Sequence, residues 1–359
     1  MPSRVPPRST VTFDQVYKRV SGARQTAFLM QRPSRGAYVS GITREGGEMA
    51  KLAFHVDVPQ PFNFELTVRK PAGWPWGAPY EVWERNTLYT GMRLADWRLV
   101  GLKLWERETS RVEVEVFSGF ELGPAERALV EERVQLGLGI DDDLEGFYRL
   151  ANRDPLVRKL RDDLYGMRLG FLTDVFERAL LAITLQMAPL KRSTQMRECL
   201  NEVYGERVSV DGREVLYWPS PAVVAEASEE SLRFECRLGY RAKAVKLTAQ
   251  HIAAGFPHVL ELNALPEEAI LKRLQDLHGV GTYAAQIVSP KRGFPLDVWS
   301  ARIFYELLRG ETPTKPRSMI KEMEEEATRR WGAYRRNVFV YVLNDLPNLQ
   351  SRYGLSKLS

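Results

Sequence analysis

Cysteine is scarce in this chain, with two residues among 359. Cys199 and Cys236 are too few for a four-thiolate iron–sulfur cluster or a cysteine-rich zinc site. The four histidines show no metal-ligand spacing, and no apolar run reaches membrane-spanning length. Two thiols in a chain without an export signal are more often free and buried than paired in a disulfide. We therefore expect no iron–sulfur cluster, no required cofactor and no membrane partner.

The charge balance is basic, with 51 lysines and arginines against 46 acidic residues, a net charge of +5 and a pI of about 9.1. Such a balance fits a polyanion partner without requiring one. Hydrophobic residues make up 44% of the chain, and its length allows two domains. Residues 1–10 have no apolar segment of the signal-peptide type, and we expect a disordered basic tail there. The expected location is the cytoplasm, in association with the nucleoid, in a prokaryote, or the nucleus in a eukaryote.

Residues 11–122 form the first predicted domain, an antiparallel sheet. Apolar and polar residues alternate in several short runs, as in strands with one buried face. Turn residues such as Gly and Pro separate the runs. The predicted strands cover residues 52–58, 62–68, 87–90, 97–105 and 111–117.

Residues 123–359 form the second predicted domain, which is helical, so the predicted fold class is α+β. Asp174, followed by Glu177 three residues later, predicts a capped helix start. Further helices are predicted at about 242–254 and 267–277. The face of the helix after Asp174 is wide and apolar, which indicates a central helix packed between others, and it includes Phe176, Leu180, Ile183 and Met187.

Residues 277–285 combine a helix end, a Gly-Val-Gly turn and a second helix start. Gly279 and Gly281 permit a turn that a residue with a Cβ resists, and they let backbone N–H groups approach a phosphate. Val280 would anchor the turn in the core. By itself, the Gly-Val-Gly triplet is equally typical of a phosphate-binding turn and of an ordinary turn between helices. The flanking residues favour a turn that grips a DNA backbone without reading bases; they are Leu277, Thr282, Ala284 and Ala285.

A single carboxylate, Asp297, follows a Phe-Pro-Leu sequence and precedes an apolar helical segment. At such a position an Asp most often caps the helix. Capping and catalysis are compatible, because a cap fixes the direction in which the carboxylate points. Asp297 lies 18 residues after Gly279 (297 − 279).

With this spacing, the chain resembles the helix–hairpin–helix, Gly/Pro–Asp superfamily of DNA glycosylases, closest to the 3-methyladenine and 8-oxoguanine branches. The resemblance covers roughly residues 141–354. The N-terminal sheet resembles, more weakly, the TATA-binding-protein-like domain of those branches. Besides the hairpin, fragments in the family's order are Asp154-Pro155, Tyr165-Gly166-Met167-Arg168, Leu185-Gln186-Met187, Leu238-Gly239-Tyr240-Arg241-Ala242 and Trp331-Gly332-Ala333-Tyr334-Arg335.

The resemblance implies that Asp297 is the catalytic carboxylate of a base-excision-repair enzyme acting on double-stranded DNA. A damaged base would be flipped into a pocket, because its glycosidic bond is inaccessible within the stack. Hydrolysis develops positive charge on the sugar, which a carboxylate stabilises while it orients or deprotonates a water. Many relatives have more residues between hairpin and Asp. Here residues 289–293 shorten the connection, the second hairpin helix is expected to end at Pro290, and we expect Asp297 still to reach the site.

Tyr283 bears on the reaction type. Bifunctional members of the superfamily have a Lys two residues after the second hairpin Gly, where it acts as a Schiff-base nucleophile. This chain has Tyr283 at that position, and a phenol cannot form the imine. We therefore expect plain hydrolysis without abasic-site lyase activity. Lys291 is the nearest alternative amine, although a surface Lys near DNA more often contacts phosphate.

Tyr283 and Trp331 are the candidate base-pocket aromatics by resemblance to the 3-methyladenine branch. Electron-rich rings stack well on alkylated purines, which carry positive charge. Packing between the hairpin helices is the alternative for Tyr283, and core packing is the alternative for Trp331. The expected substrate is an alkylated purine. Removal of 8-oxoguanine or a deaminated base, and a non-catalytic DNA-binding scaffold, remain alternatives.

Met187 is the candidate wedge that fills the gap left by the flipped nucleotide, since Met is long, apolar and pliable. It also continues the apolar face of its helix, so core packing stays open. We expect a monomer. The resemblance also implies that the backbone carbonyls of Gln275, Leu277 and Val280 bind a structural monovalent or alkaline-earth ion. The candidate DNA-binding residues are Gln186, Met187, Gly279, Val280, Gly281, Thr282, Ala284, Trp299 and Ser300.

Overall fold

An antiparallel sheet of five strands opens the described part of the chain, in the order β1-β5-β4-β3-β2. The computed structural model describes residues 50–291, 293–312 and 316–354. The predicted tail at 1–10 and the first part of the predicted sheet domain lie outside these ranges. The strands are β1 (Ala50–Asp57), β2 (Val82–Glu84), β3 (Thr87–Arg93), β4 (Leu99–Glu108) and β5 (Arg111–Ser118).

The strand predicted at 62–68 is wrong, because this segment forms the short helix α1 (Phe64–Val68). Asn63 caps the helix, and its side-chain oxygen accepts a hydrogen bond from the Leu66 N–H at 2.9 Å. Phe64, Thr67 and Val68 are buried together, at the i, i+3 and i+4 spacing of a helix face. Over seven residues, an apolar pattern cannot separate this face from an alternating strand.

A second hairpin, β6 (Glu206–Val210) and β7 (Arg213–Tyr217), was not predicted, and it covers part of the sheet. Gly91 and Gly101 face each other on β3 and β4 beneath it. A Cβ on Gly101 would lie 2.5 Å from the Val210 side chain, and one on Gly91 would lie 2.8 Å from the Tyr217 ring. The strand predicted at 87–90 is therefore too short, because β3 continues through Gly91 to Arg93. Both glycines allow close packing inside continuous strands.

Helices follow from Gly123 onward, and the predicted α+β class is confirmed. Among the described residues, no helix has both the length and the apolar character that crossing a bilayer requires. The helices are α2 (Pro124–Leu138), α3 (Leu144–Arg149), α4 (Pro155–Asp163), α5 (Val175–Leu185), α6 (Leu190–Tyr204), α7 (Pro221–Glu226), α8 (Glu229–Phe234), α9 (Arg241–Ala253), α10 (Val259–Asn263), α11 (Glu267–Leu274), α12 (Thr282–Val288), α13 (Val298–Arg309), α14 (Pro316–Trp331), α15 (Arg335–Asn344) and α16 (Leu346–Tyr353).

Helix α5 begins with the predicted capping box of Asp174 and Glu177. Asp174 is also the centre of a buried polar network that joins three helices. Its carboxylate accepts hydrogen bonds from the Arg133 guanidinium, the Val259 N–H and the His258 ring. Burial alone would raise the pKa of Asp174, but the charge of Arg133 and the hydrogen bond with His258 outweigh it and hold that pKa below its usual range.

Asp174→Asn is expected to lower the free energy of unfolding by about 3–5 kcal/mol, because the variant leaves the buried Arg133 without its counter-charge. A carboxyl whose pKa is lower in the folded state than in the unfolded state contributes its full share to the free energy of unfolding above the unfolded pKa of about 4. This contribution is lost as the pH falls through the lower, folded-state pKa. Urea unfolding at pH 7 and below tests this. Asp211→Asn, which breaks an exposed pair with Lys103, is the control and should cost less than about 1 kcal/mol. Equal losses in the two variants would contradict the network's role.

Candidate active site

The turn between α11 and α12 requires glycine at one position only. Gly279 has a φ of +83°, and a Cβ there would lie 2.8 Å from the Ala244 Cβ. Gly281 has an ordinary extended backbone with open space where a Cβ would stand. Val280 is buried, as predicted, and its N–H donates to the Leu277 carbonyl at 3.0 Å. The first glycine makes the turn, and the second leaves the start of α12 open to an approaching group.

Two side chains from other helices hold the turn in place. The Gln186 amide donates to the Gly279 carbonyl at 2.7 Å. The Thr248 hydroxyl donates to the His278 carbonyl at 2.7 Å. Gln186 and the turn line one surface pocket of about 620 Å³. The pocket therefore joins the hairpin to the loop that carries the candidate wedge.

Met187 does not continue the apolar face of α5, because the helix ends at Leu185. Its side chain is 92% exposed, whereas Phe176, Leu180 and Ile183 are buried. The core-packing alternative for Met187 is therefore wrong. Its φ of +48° is unusual for a residue with a side chain. The Arg241 guanidinium donates to the Gln186 carbonyl and fixes the chain just before Met187.

Met187→Ala is expected to slow release of a base from duplex DNA by about tenfold or more, because nothing then fills the gap in the stack. The free energy of unfolding should change by less than about 0.5 kcal/mol, since the side chain is exposed. Single-turnover assays and urea unfolding measure the two effects. Leu190→Ala, another exposed apolar residue, is the matched control. A stability loss of several kcal/mol without a rate effect would contradict the wedge assignment.

Asp297 caps α13, as its local sequence predicts. Its carboxylate accepts hydrogen bonds from the Ser300 N–H and the Ser300 hydroxyl, each at 2.7 Å. The Tyr283 side chain, on the second hairpin helix, lies close to Asp297. Burial, followed by the charge of Asp297, raises the pKa of Tyr283 well above its usual value, so the hydroxyl keeps its proton. The cap fixes the direction of the half-buried carboxylate beside this ring.

The shortened connection brings the two helices together. Helix α12 ends at Val288, two residues before Pro290. The Phe294 N–H then donates to the Gln286 side chain at 3.1 Å, which folds the connection back along the helix. The Lys291 amine donates to the Leu265 carbonyl at 2.6 Å, a contact on the protein surface. The structure thus places Asp297 beside α12 and holds the alternative amine against Leu265.

Trp331 is a core residue, and its base-pocket assignment is corrected by the structure. It is 2% exposed and packs among aromatic rings that include Phe294 and Phe304. Its indole N–H donates to the Asp154 carboxylate at 2.8 Å, so its polar atom is used within the core. The sequence alternatives were evenly balanced at this position because a Trp suits a pocket and a core equally well.

The remaining candidate DNA-binding residues differ in how exposed they are to solvent. Gly279, Gly281 and Thr282 are exposed, and Trp299 is partly exposed. The side chains of Val280 and Ala284 are buried, which leaves only their backbones for contact. Ser300 is buried, and its hydroxyl and N–H both bond to Asp297. Ser300 therefore positions the carboxylate, and this role replaces the direct DNA contact that we predicted from the sequence.

The carbonyls of Gln275, Leu277 and Val280 belong to residues that line the same pocket. Carbonyl oxygens are ligands that alkali and alkaline-earth ions accept. The Leu277 carbonyl oxygen accepts a hydrogen bond from the Val280 N–H, and its second lone pair is available to an ion. The donor set thus fits the predicted ion, which stays a prediction.

A sheet followed by helices, with a braced Gly-Val-Gly hairpin and a capping Asp close to the second hairpin helix, resembles the arrangement of the helix–hairpin–helix DNA glycosylases. Comparisons with known proteins confirm that resemblance. No family model matches the chain. The chain is 26% identical over 238 residues to a probable N-glycosylase/DNA lyase of Methanothermobacter thermautotrophicus. The aligned region covers 60% of this chain and 74% of the relative.

Solved structures of the same class share the fold. A 3-methyladenine DNA glycosylase from Archaeoglobus fulgidus matches with a TM-score of 0.65 and 22% identity, over 81% of this chain and 98% of that one. A Clostridium acetobutylicum 8-oxoguanine glycosylase/lyase, in complex with double-stranded DNA, matches with a TM-score of 0.60 and 17% identity, over 84% and 98%. At these identities the two structures establish the architecture, and the chemistry has to be argued from this chain's own residues.

Proposed function

We propose that this protein is a DNA glycosylase of base-excision repair, which flips a damaged nucleotide out of double-stranded DNA and hydrolyses its N-glycosidic bond. One observation carries the proposal: the Asp297 carboxylate, fixed by Ser300, lies close to Tyr283 on the helix that follows the Gly279–Gly281 turn. A strand held at the turn would therefore present its sugar to this carboxylate. The names of the similar proteins support the same class of reaction.

The reaction breaks the bond between C1′ and the base nitrogen, and the electron pair leaves with the base. Positive charge grows on the sugar as the bond lengthens, and the Asp297 carboxylate stabilises it from nearby. Water then forms a bond from its oxygen to C1′ and gives a proton to the carboxylate. The carboxylate passes this proton on to solvent, and a base that has left as an anion takes up a proton from solvent. The products are a free base and an abasic site in an intact strand.

The residues at positions 283 and 291 both support hydrolysis without strand cleavage. Tyr283 occupies the place of the Schiff-base Lys, and a phenol forms no imine with the sugar. The Lys291 amine donates to the Leu265 carbonyl. Because two similar proteins have lyase in their names, strand cleavage has to be measured separately from base release.

The alkylated-purine interpretation rested on two aromatic residues, and one of them is in the core. Tyr283 remains beside the carboxylate, where its ring is partly buried. A single aromatic ring stacks on any nucleobase and does not distinguish lesions. We propose that the protein acts as a monomer on DNA.

An oligonucleotide panel tests the proposed function. Duplexes that each carry one damaged base are incubated with the full chain and analysed with and without hot alkali. We expect strand breaks at the lesion only after alkali, because hydrolysis leaves an intact strand with an abasic site. Tight binding to abasic DNA without release of any base would instead favour the non-catalytic scaffold.

A further inference from the structure

The two thiols of the chain lie in neighbouring segments, and neither belongs to the hairpin turn or to the surroundings of Asp297. Cys199 is on α6 and is partly exposed, whereas Cys236 follows α8 and is fully buried. Both thiols are free. Because solvent reaches Cys199 and not Cys236, a reagent in solution meets the two thiols in a fixed order.

Two hydrogen bonds hold the segment that contains Cys236 against α6. At one end of this segment, the Tyr204 and Ser231 hydroxyls lie 2.6 Å apart. At its other end, the Arg192 guanidinium donates to the Arg237 carbonyl at 2.9 Å. The segment therefore runs antiparallel to α6, since its first contact is at the C-terminal end of the helix and its last contact is near the N-terminal end.

Cys199 lies between these two contacts on α6. It is seven residues after Arg192 (199 − 192), which is about two helical turns, so both side chains lie on the same face of the helix. Cys236 packs in the same hydrophobic core as Leu200, the residue of α6 that follows Cys199. The two sulfur atoms therefore approach each other across one interface between the helix and the segment.

The electrostatics of the two thiols agree with this placement. Burial, together with the charge of Cys199, raises the pKa of the Cys236 thiol to about 12. Burial also raises the pKa of the Cys199 thiol, while the charge of Arg237 acts in the opposite direction. Each sulfur is thus influenced by a charge on the facing element. Both thiols should react slowly at neutral pH, since only the thiolate is the nucleophile.

We propose that Cys199 and Cys236 form an intramolecular disulfide when the protein meets an oxidised low-molecular-weight disulfide such as glutathione disulfide. The Cys199 thiolate attacks one sulfur of the reagent and forms a mixed disulfide, and one glutathione leaves as its thiolate. Cys236 then loses its proton, attacks the Cys199 sulfur and releases the second glutathione. The two cysteines together lose two electrons, the glutathione disulfide gains them, and the two thiol protons end on the released glutathiones.

The disulfide would join two segments that support the loop of Met187. Helix α6 begins three residues after Met187 (190 − 187). Cys236 lies five residues before Arg241 (241 − 236), whose guanidinium donates to the Gln186 carbonyl. The bond spans 37 positions of the chain (236 − 199), and closing a loop of this length restricts the unfolded chain and stabilises the fold.

Oxidation of the full chain by glutathione disulfide tests the inference. The reaction is run at about pH 8.5, where more of each thiol is ionised than at neutral pH, and the intact mass is measured before and after reduction. We expect the wild type to lose the mass of two hydrogen atoms, to keep no glutathione and to resist a thiol-alkylating reagent when denatured. Its melting temperature should rise by about 5 °C and should return to the starting value after reduction with dithiothreitol.

Two variants separate the steps of the reaction. Cys236→Ala removes the thiol that resolves the mixed disulfide, so one glutathione should stay attached to Cys199. Cys199→Ser removes the thiol that the reagent reaches, so Cys236 should stay free and unmodified. If Cys236→Ala fails to fold because its buried contacts are lost, the wild type and Cys199→Ser, which changes a partly exposed residue, decide the question.

Three results would overturn the inference. The first is a wild type that keeps glutathione on Cys199 or whose two thiols both remain open to alkylation. The second is a covalent dimer on a non-reducing gel, because Cys199 would then react with a second copy of the chain instead of Cys236. The third is a disulfide that leaves the melting temperature unchanged or lowers it, because the native packing would then not bring the sulfurs within bonding reach. The experiment uses no DNA, so none of these results bears on the proposed function.

Discussion

Asp297→Asn is expected to slow base release by about 10³-fold while the affinity for abasic-site DNA stays unchanged. In the proposed mechanism, the amide removes the negative charge that faces the developing sugar cation, and it cannot take a proton from the attacking water. The helix cap should survive, because Asn caps helices about as well as Asp does. Single-turnover base release and DNA binding by fluorescence anisotropy measure the two quantities.

Asp143→Asn is the matched control for this variant, because Asp143 caps α3 in the same manner. It should retain the rate of the wild type. Asp297→Ala removes both charge and cap, and should therefore add a loss of about 1 kcal/mol in the free energy of unfolding to the same loss of rate. Undiminished turnover by Asp297→Asn would remove this carboxylate from the mechanism.

Tyr283→Lys is expected to convert simple hydrolysis into strand cleavage through a covalent intermediate. The new amine would stand beside Asp297, where the proposed mechanism places the C1′ of a flipped nucleotide, and an amine there forms a Schiff base with the sugar. Borohydride should then trap a covalent adduct between protein and DNA, and we expect the wild type to give none. Gel electrophoresis after reduction measures the trapped fraction.

Two variants make the Tyr283→Lys experiment specific. Tyr283→Phe keeps the ring and loses the hydroxyl close to Asp297, so it should lower the rate by about tenfold at most without any trapping. Lys291→Met removes the amine held against Leu265, and trapping by Tyr283→Lys should persist in its presence. Trapping by the wild type that disappears in Lys291→Met would show that Lys291 is the nucleophile and that the hydrolytic assignment is wrong.

The sequence predicted those parts of the site whose cause is local. Glycine at 279 is required by the positive φ of its own backbone, and Asp297 caps the helix that directly follows it. Asp174 and Glu177 likewise form their capping box within a single helical turn. Each depends on residues only a few positions apart, so the pattern along the chain carries the information.

The parts that sequence reasoning missed depend on contacts between distant segments. Trp331 is in the core because Asp154, on another helix, accepts its N–H. Gly91 in β3 looks like a strand end until the β6–β7 hairpin is seen to pack on it.

The affinity for a cationic sugar mimic tests most directly whether Asp297 stabilises charge on the nucleotide. Duplexes carrying a protonated pyrrolidine abasic analogue are compared with otherwise identical duplexes carrying a neutral tetrahydrofuran. We expect the wild type to bind the cationic analogue about 100-fold more tightly, and we expect Asp297→Asn to lose this preference. The same preference in both proteins would show that the charge is recognised elsewhere, and it would contradict the proposed mechanism.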